Sequence, residues 1–171
     1  EYKGRRIGSL SHMTTFSFHP VKHITTGEGG MVTTDNPEFA RRLRMFRTHG
    51  IDPEARQIQG EETGQWFYEM TELGYNYRIP DIACALGLSQ LNRLQDNLSR
   101  RREIVEQYAE AFAHLPGLIT PVERGEVASA WHLYPVRLEL EKFTVGRKQI
   151  FQALRAENIG VNVHYIPVHL H

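Results

Sequence analysis

From Leu91 onward, apolar residues recur at Leu91, Leu94, Leu98, Val105, Tyr108, Phe112 and Leu115. The steps are three and four, and Arg101 fills the one place where the series lacks an apolar residue. An α-helix turns once in about 3.6 residues, so this spacing collects the set on one face. Pro116-Gly117 ends the pattern, as proline and glycine end helices generally. The chain is therefore organised around one long amphipathic helix, or two helices in line. Such a stripe marks a core or a subunit interface rather than a ligand site.

The flanking segments fit an α/β chain. "GYNYRIPDIACALGLSQL" begins irregularly and turns helical after Pro80. "GGMVTTD" (29–35) reads as a short strand bounded by glycines and a turn. In "DNPEFARRLRMFRTHG", Asn36 suits an N-cap, Pro37 the first helical position, and His49-Gly50 the stop. Residues 51–66 are polar and aperiodic, and predict a surface loop. Beyond Gly117, "AWHLYPVRLEL" (130–140) alternates like a strand, with Pro135 pushing it toward a sheet edge. "TVGRKQIFQALRAENIG" predicts a helix with Thr144 as N-cap and Gly160 as stop. "VNVHYI" predicts a strand, with Val161, Val163 and Tyr165 on one face and Asn162, His164 and Ile166 on the other. Strand, helix and strand after a long helix predict a small α/β subdomain.

Composition removes several function classes. Lysine plus arginine and aspartate plus glutamate number 20 each, so the net charge is zero. That balance argues against general affinity for nucleic acid or anionic membrane. No apolar run approaches the ~20 residues that cross a bilayer, and "EYKGRRIGSL" is not a signal peptide. Cys84 is the single cysteine, which excludes an internal disulfide framework and makes a reducing cytoplasm the expected compartment. A start without methionine and an end at "YIPVHLH", beside a strand-like run, predict a fragment of a longer chain. The nine histidines show no H-E-x-x-H or comparable spacing, so no metal site is expected. His19, His132 and His169 carry no assigned role.

The segment with the most chemical character is "SFHPVKHITTGEGG" (17–30), where the single lysine Lys22 stands among small, polar and glycine residues. A lysine amine becomes nucleophilic where burial or a nearby cation disfavours its ammonium form, and it can then form a Schiff base with an aldehyde or ketone. Ser17, Thr25 and Thr26 offer hydroxyls, and Gly27, Gly29 and Gly30 let backbone approach a ligand closely. Such an assembly can hold a phosphate beside a reactive lysine. It is not a Walker loop, since G-x-x-x-x-G-K-[ST] is absent. On composition alone a solvated lysine beside an ordinary glycine turn is the more frequent case.

"SFHPVKHITTGEGGMVTTD" resembles the lysine segment of the DegT/DnrJ/EryC1/StrS family. The resemblance continues, in order, through "LRMFRTHG", "GYNYRIPDIACALGLSQL", "WHLYPVRL" and "VNVHYIPVH". Within the family, "SFHPVK-ITT-EGG", "ALGLSQL" and "VHYIP" look most like the branch that makes UDP-4-amino-4,6-dideoxy-N-acetyl-altrosamine on the pseudaminic acid pathway. The resemblance implies a pyridoxal-phosphate (PLP) transferase of fold type I, like aspartate aminotransferase. Residues 1–79 would be the end of the large cofactor-binding domain, 80–116 the connecting helix or helices, and 117–171 a small α/β domain incomplete at its C-terminus. It implies transfer of an amino group from L-glutamate to a nucleotide-linked 4-keto-6-deoxy sugar by a homodimer with shared active sites.

Residue by residue, Lys22 matches the lysine that binds PLP and shuttles the proton. Ser17 matches a hydroxyl on the cofactor phosphate. Asn76 matches a residue reaching the neighbouring subunit's site, near that phosphate and the substrate. Arg78 matches a place suited to an acidic group of the donor or nucleotide, and His164 and Tyr165 border the sugar nucleotide. The carboxylate that would pair with the PLP ring nitrogen is expected upstream of Glu1, since Asp35, Asp52, Asp81 and Asp96 all follow Lys22. Rival readings remain: a PLP- or pyridoxamine-dependent sugar dehydratase of the same family, which would place a histidine at position 22, a non-catalytic interaction or regulatory module retaining the fold, and a phosphate-binding domain without a Schiff base.

Overall fold

The computed structural model describes residues 1–52 and 66–171. The loop expected over 51–66 falls mostly outside these residues. Strands and helices follow in the order β1 Thr14–Ser17, β2 Gly30–Thr33, α1 Pro37–Arg47, α2 Asp81–Asn92, α3 Leu94–Phe112, β3 Leu118–Ile119, β4 Arg137–Leu138 and α4 Arg147–Ala156. Two compact units are present. The first holds residues 1–102 and 123–132, and the second holds 103–122 and 133–171, so α3 contributes to both. Among the described residues no helix is long and apolar enough to cross a membrane.

In the first unit, β1 and β2 form an antiparallel pair with Thr14 opposite Thr33 and Ser17 opposite Gly30. Their loop, residues 18–29, carries Lys22. Helix α1 begins as its sequence predicts. Asn36 Oδ1 accepts from the Glu38 and Phe39 backbone N–H groups at 2.9 and 3.2 Å, which satisfies two of the donors a helix start leaves open. Its end also follows the prediction, because His49 (φ 58°) and Gly50 (φ 70°) are left-handed. Arg41 ties α1 to Asp52 at 2.5 Å and, within the helix, donates to Glu38 at 3.1 Å, a hydrogen bond that holds the Glu38 carboxyl below the usual carboxylate range.

Two helices in line, α2 and α3, are separated at Arg93 (φ −101°, ψ 4°), and the apolar stripe from Leu94 to Phe112 lies on α3. The stripe is only half covered: Leu94, Leu98, Val105 and Phe112 are half-buried, Leu91 and Leu115 are each 50% exposed, and neither α2 nor α3 has a fully buried residue. In the second unit, Tyr108 and Phe112 of α3 pack with Tyr134, with ring centroids 5.2 to 6.5 Å apart. Beside them β3 and β4 pair antiparallel, Leu118 opposite Leu138.

The structure corrects the strand predictions here. Of residues 130–140 only Arg137 and Leu138 are strand. Trp131 takes a left-handed φ of 48° and donates its N–H to Ser129 Oγ at 3.1 Å, which bends the chain out of an extended path. Residues 161–166 form no ladder with any described strand, so their alternation has no sheet to act on. Helix α4 starts later than predicted: Gly146, not Thr144, is its N-cap, and Gln149 Oε1 accepts from the Gly146 N–H at 2.8 Å.

Candidate active site

The loop between β1 and β2 is closed by its own hydrogen bonds. Phe18 N–H donates to Gly29 O at 2.9 Å and Thr26 N–H to Phe18 O at 3.1 Å. Thr25 Oγ1 donates to Phe18 O at 3.0 Å, and Thr26 Oγ1 to Glu28 O at 2.7 Å. Thr26 is one of the few buried polar residues. Two of the glycines are needed for this closure rather than for a ligand. A Cβ on Gly29 would stand 2.6 Å from Thr26 Oγ1, and one on Gly30 would stand 2.7 Å from Phe16 O. Gly27 differs: its φ is 82° and a Cβ there would meet nothing within 4 Å.

Lys22 follows a turn in which its N–H donates to His19 O at 2.9 Å. The side chain is half-buried, and Nζ lies 3.4 Å from His132 Nε2. An ammonium or amine N–H donates in that contact when Nε2 is the unprotonated ring nitrogen. Among the described residues no carboxylate lies within ion-pair distance of Lys22. Ser17 closes β1 at the root of the same loop. It is exposed, and its Oγ accepts only a long contact from the His19 N–H, at 3.4 Å. The hydroxyl thus keeps donor capacity for a phosphate.

His132 is the residue that sequence reasoning missed. Its position depends on Arg101, whose Nη1 donates to Trp131 O at 3.0 Å and to His132 O at 3.5 Å. His23 flanks it, with ring centroids 5.5 Å apart, and is held by Ala130 O at 2.8 Å. Arg101, the one polar residue in the apolar stripe, holds the backbone carbonyls at this imidazole, a pairing across 30 and 31 residues that the fold makes and the spacing does not announce.

Asn76 and Arg78 sit on an extended arm running along the end of α1. Tyr75 N–H donates to Phe46 O at 2.7 Å, Tyr77 N–H to Arg47 O at 3.0 Å, and His49 N–H to Tyr75 O at 2.8 Å. The stacked rings of Tyr75 and Tyr77, 4.7 Å apart, stiffen this arm. Asn76 is exposed and its amide has no hydrogen-bond partner among the described residues. Arg78 Nη1 donates to His49 Nε2 at 2.9 Å. No hydrogen bond joins Lys22 to Asn76 or Arg78. His164 and Tyr165 belong to the second unit, exposed and in edge contact with each other at 4.2 Å. Among the described residues no group of three or more His, Cys, Asp or Glu could hold a metal ion.

A half-buried lysine thus stands in a glycine-bearing hairpin loop of an α/β chain of short strands and long helices. Its structure superposes on Helicobacter pylori PseC, an aminotransferase involved in the biosynthesis of pseudoaminic acid, with a TM-score of 0.86, 31% identity and all of this chain covered. It also superposes on the putative sugar aminotransferase Spr1654 of Streptococcus pneumoniae in its PLP form, with a TM-score of 0.83, 36% identity and 99% covered. In sequence it is 40% identical, over 99% of its length, to the UDP-4-amino-4,6-dideoxy-N-acetyl-beta-L-altrosamine transaminase of Campylobacter jejuni serotype O:23/36. Residues 1–171 match the model of the DegT/DnrJ/EryC1/StrS aminotransferase family, and the chain belongs to that family. It spans less than half the length of these relatives: 43% of PseC, 42% of Spr1654 and 42% of the Campylobacter transaminase.

Proposed function

We propose that this chain carries the catalytic lysine of a PLP-dependent aminotransferase that moves an amino group from L-glutamate to a UDP-linked 4-keto-6-deoxy sugar bearing an N-acetyl group. The observation that carries the reading is the state of Lys22: half-buried, free of any described carboxylate, and 3.4 Å from an imidazole nitrogen. With no described carboxylate to occupy it, the amine is open to a carbonyl ligand.

The residues present fit the cofactor. Lys22 Nζ would anchor it, Ser17 Oγ would donate to its phosphate, and Gly27 leaves open space where a side chain would intrude. When bound, PLP supplies the electron sink for proton removal at the amine-bearing carbon. This chain's share is orientation and proton movement: Nζ of Lys22 carries the proton, and Nε2 of His132, fixed through Arg101, sets the direction of the amine. The free amide of Asn76 suits a contact outside its own chain, which supports a homodimer with shared sites. The edge-paired rings of His164 and Tyr165 offer a polar and aromatic border for the nucleotide sugar. In this reading residues 1–79 end the large domain and 117–171 belong to the small one.

Borohydride reduction of the cofactor-loaded longer enzyme, followed by peptide mapping, tests the reading. A phosphopyridoxyl group on the peptide containing Lys22 is expected. Its appearance on another lysine, or on none, refutes the assignment. Lys22→Ala abolishes amino transfer if the amine moves the proton.

A further inference from the structure

Lys22 and His23 are neighbours in the chain, and both side chains reach one short segment, 110 and 107 residues away. Lys22 Nζ lies 3.4 Å from His132 Nε2, and His23 Nε2 lies 2.8 Å from Ala130 O. The two contacts close a ring that runs from Lys22 through His23, Ala130, Trp131 and His132 back to the amine. All of it lies in the first unit. A carbonyl oxygen can only accept, so the ring proton of His23 sits on Nε2 and that N–H donates. The His23 ring also stands against that of His132, with centroids 5.5 Å apart.

The bland account is that one hydrogen bond from a half-buried histidine adds only a little stability. The segment, however, is already held without it. Ala128 N–H donates to Glu1 O at 3.0 Å and Lys3 N–H to Glu126 O at 2.6 Å. Arg101 Nη1 holds the carbonyls of Trp131 and His132 at 3.0 and 3.5 Å. Arg101 stands on α3, and Glu1 and Lys3 precede β1, so none of these bonds runs to the lysine loop. The His23 bond does. Trp131 is left-handed (φ 48°), so the chain turns sharply between the carbonyl that His23 holds and the imidazole two residues on. A slip at Ala130 is carried straight to that ring. Moving the ring away by about 1 Å would take the Lys22 contact beyond hydrogen-bond range.

We propose that His23 is a positioning residue for Lys22: its Nε2–H, placed on Ala130 O, sets where the His132 ring meets the amine. His23 itself touches no reacting atom and acts through His132. The register of loop and segment is then fixed from the residue next to the lysine, so the amine and its imidazole move together. That this matters for amino transfer rests on the function proposed above; the placement of the amine does not.

The test uses the full-length enzyme containing these residues. With the cofactor removed, Lys22 is acylated by a limiting dose of acetic anhydride, and its peptide is followed by mass spectrometry. His23→Phe keeps a ring against His132 and loses the donor. The amine is then no longer held to the imidazole, and it should acylate about threefold faster or more. His132→Ala should do the same. His23→Gln carries an amide N–H near the place of Nε2 and should restore the parent rate to within about twofold. In the loaded enzyme His23→Phe should lower kcat about two- to tenfold, the worth of one ordinary hydrogen bond, and leave KM for the sugar nucleotide nearly unchanged. Adding His23→Phe to His132→Ala should lower kcat no further, because a residue acting through His132 has nothing left to act on. Circular dichroism checks folding, and His23→Leu, which also lacks the donor, takes the place of His23→Phe should the latter misfold. A parent-like acylation rate in a folded variant without the donor overturns the proposal. So does His23→Gln behaving like His23→Phe, or an additive loss of kcat when His23→Phe and His132→Ala are combined. Acylation is read without turnover, so an enzyme in which His23 governs Lys22 but which aminates no keto sugar keeps the inference and refutes the function alone.

Discussion

Replacing Gly50 with alanine should cost far more than the same change at Gly27, although both backbones are left-handed, at φ 70° and 82°. The left-handed conformation alone costs a residue with a Cβ about 1–2 kcal/mol. At Gly27 that is the whole effect, because a Cβ there meets nothing within 4 Å. At Gly50 an ideal Cβ would stand 1.7 Å from Glu72 O, 2.6 Å from Glu72 C and 3.1 Å from Gly74 N. These are backbone atoms, so no rotamer change removes the clash; the 71–74 segment must move. It is tied in place by Thr71 N–H to Gly50 O at 2.9 Å, Tyr75 N–H to Phe46 O at 2.7 Å and His49 N–H to Tyr75 O at 2.8 Å. Breaking two or three of these bonds adds about 0.5–1.5 kcal/mol each. Gly50→Ala should therefore cost about 3–5 kcal/mol, against about 1–2 for Gly27→Ala. The arm carries Asn76 and Arg78, so amino transfer should fall with it. Hydrogen exchange over residues 71–78 of the full-length enzyme reads the effect locally: about 3 kcal/mol lost corresponds to about 100-fold faster exchange there. Equal exchange in the two variants, or an arm that keeps its protection in Gly50→Ala, refutes the reasoning.

Mixing inactive Lys22→Ala and inactive Asn76→Ala enzymes should recover part of the activity, since some mixed dimers hold one intact site; no recovery after proven subunit exchange counts against shared sites. His132→Ala should lower kcat about two- to tenfold, the worth of one ordinary hydrogen bond, and alter the pH profile while leaving KM for the sugar nucleotide nearly unchanged; an unaltered kcat and profile would remove His132 from the positioning of Lys22. Residues 1–171 expressed alone should bind a hydrophobic dye and self-associate, because Ile82, Leu88 and Leu91 of α2 stand 87%, 64% and 50% exposed; a monodisperse, dye-free preparation that turns over glutamate would show that the chain completes its own site.

How much could be read from the sequence follows from where each element finds its hydrogen bonds. A helix closes its bonds within itself, so α1 was legible to the residue: Asn36 caps it, Pro37 opens it and His49-Gly50 end it. The period-3.6 stripe likewise predicted α3, and the segment after Pro80 predicted α2; one helix or two in line was left open, because no proline or glycine marks the break at Arg93. Strands depend on partners far away in sequence. β2 was predicted and has β1 beside it, whereas "VNVHYI" has the same alternation and no described partner. Lys22 was legible through a resemblance that spans the chain. His132 was not, because its role arises from a contact 110 residues away. Arg78 was named through the same resemblance, whereas its bond to His49, 29 residues away in sequence, was not. The exposed surface completes the account. A folded monomer of this size exposes about 8,600 Å², and this chain exposes 13,990 Å². The stripe at 91–115 was expected to face a core or an interface; in this structure Tyr108 and Phe112 pack with Tyr134, while Leu91 and Leu115 stay half exposed. Periodicity reports that a face must be buried; it carries no information about what buries it. In a chain spanning less than half of its relatives' length, that distinction separates the readable helices from the unpaired strands.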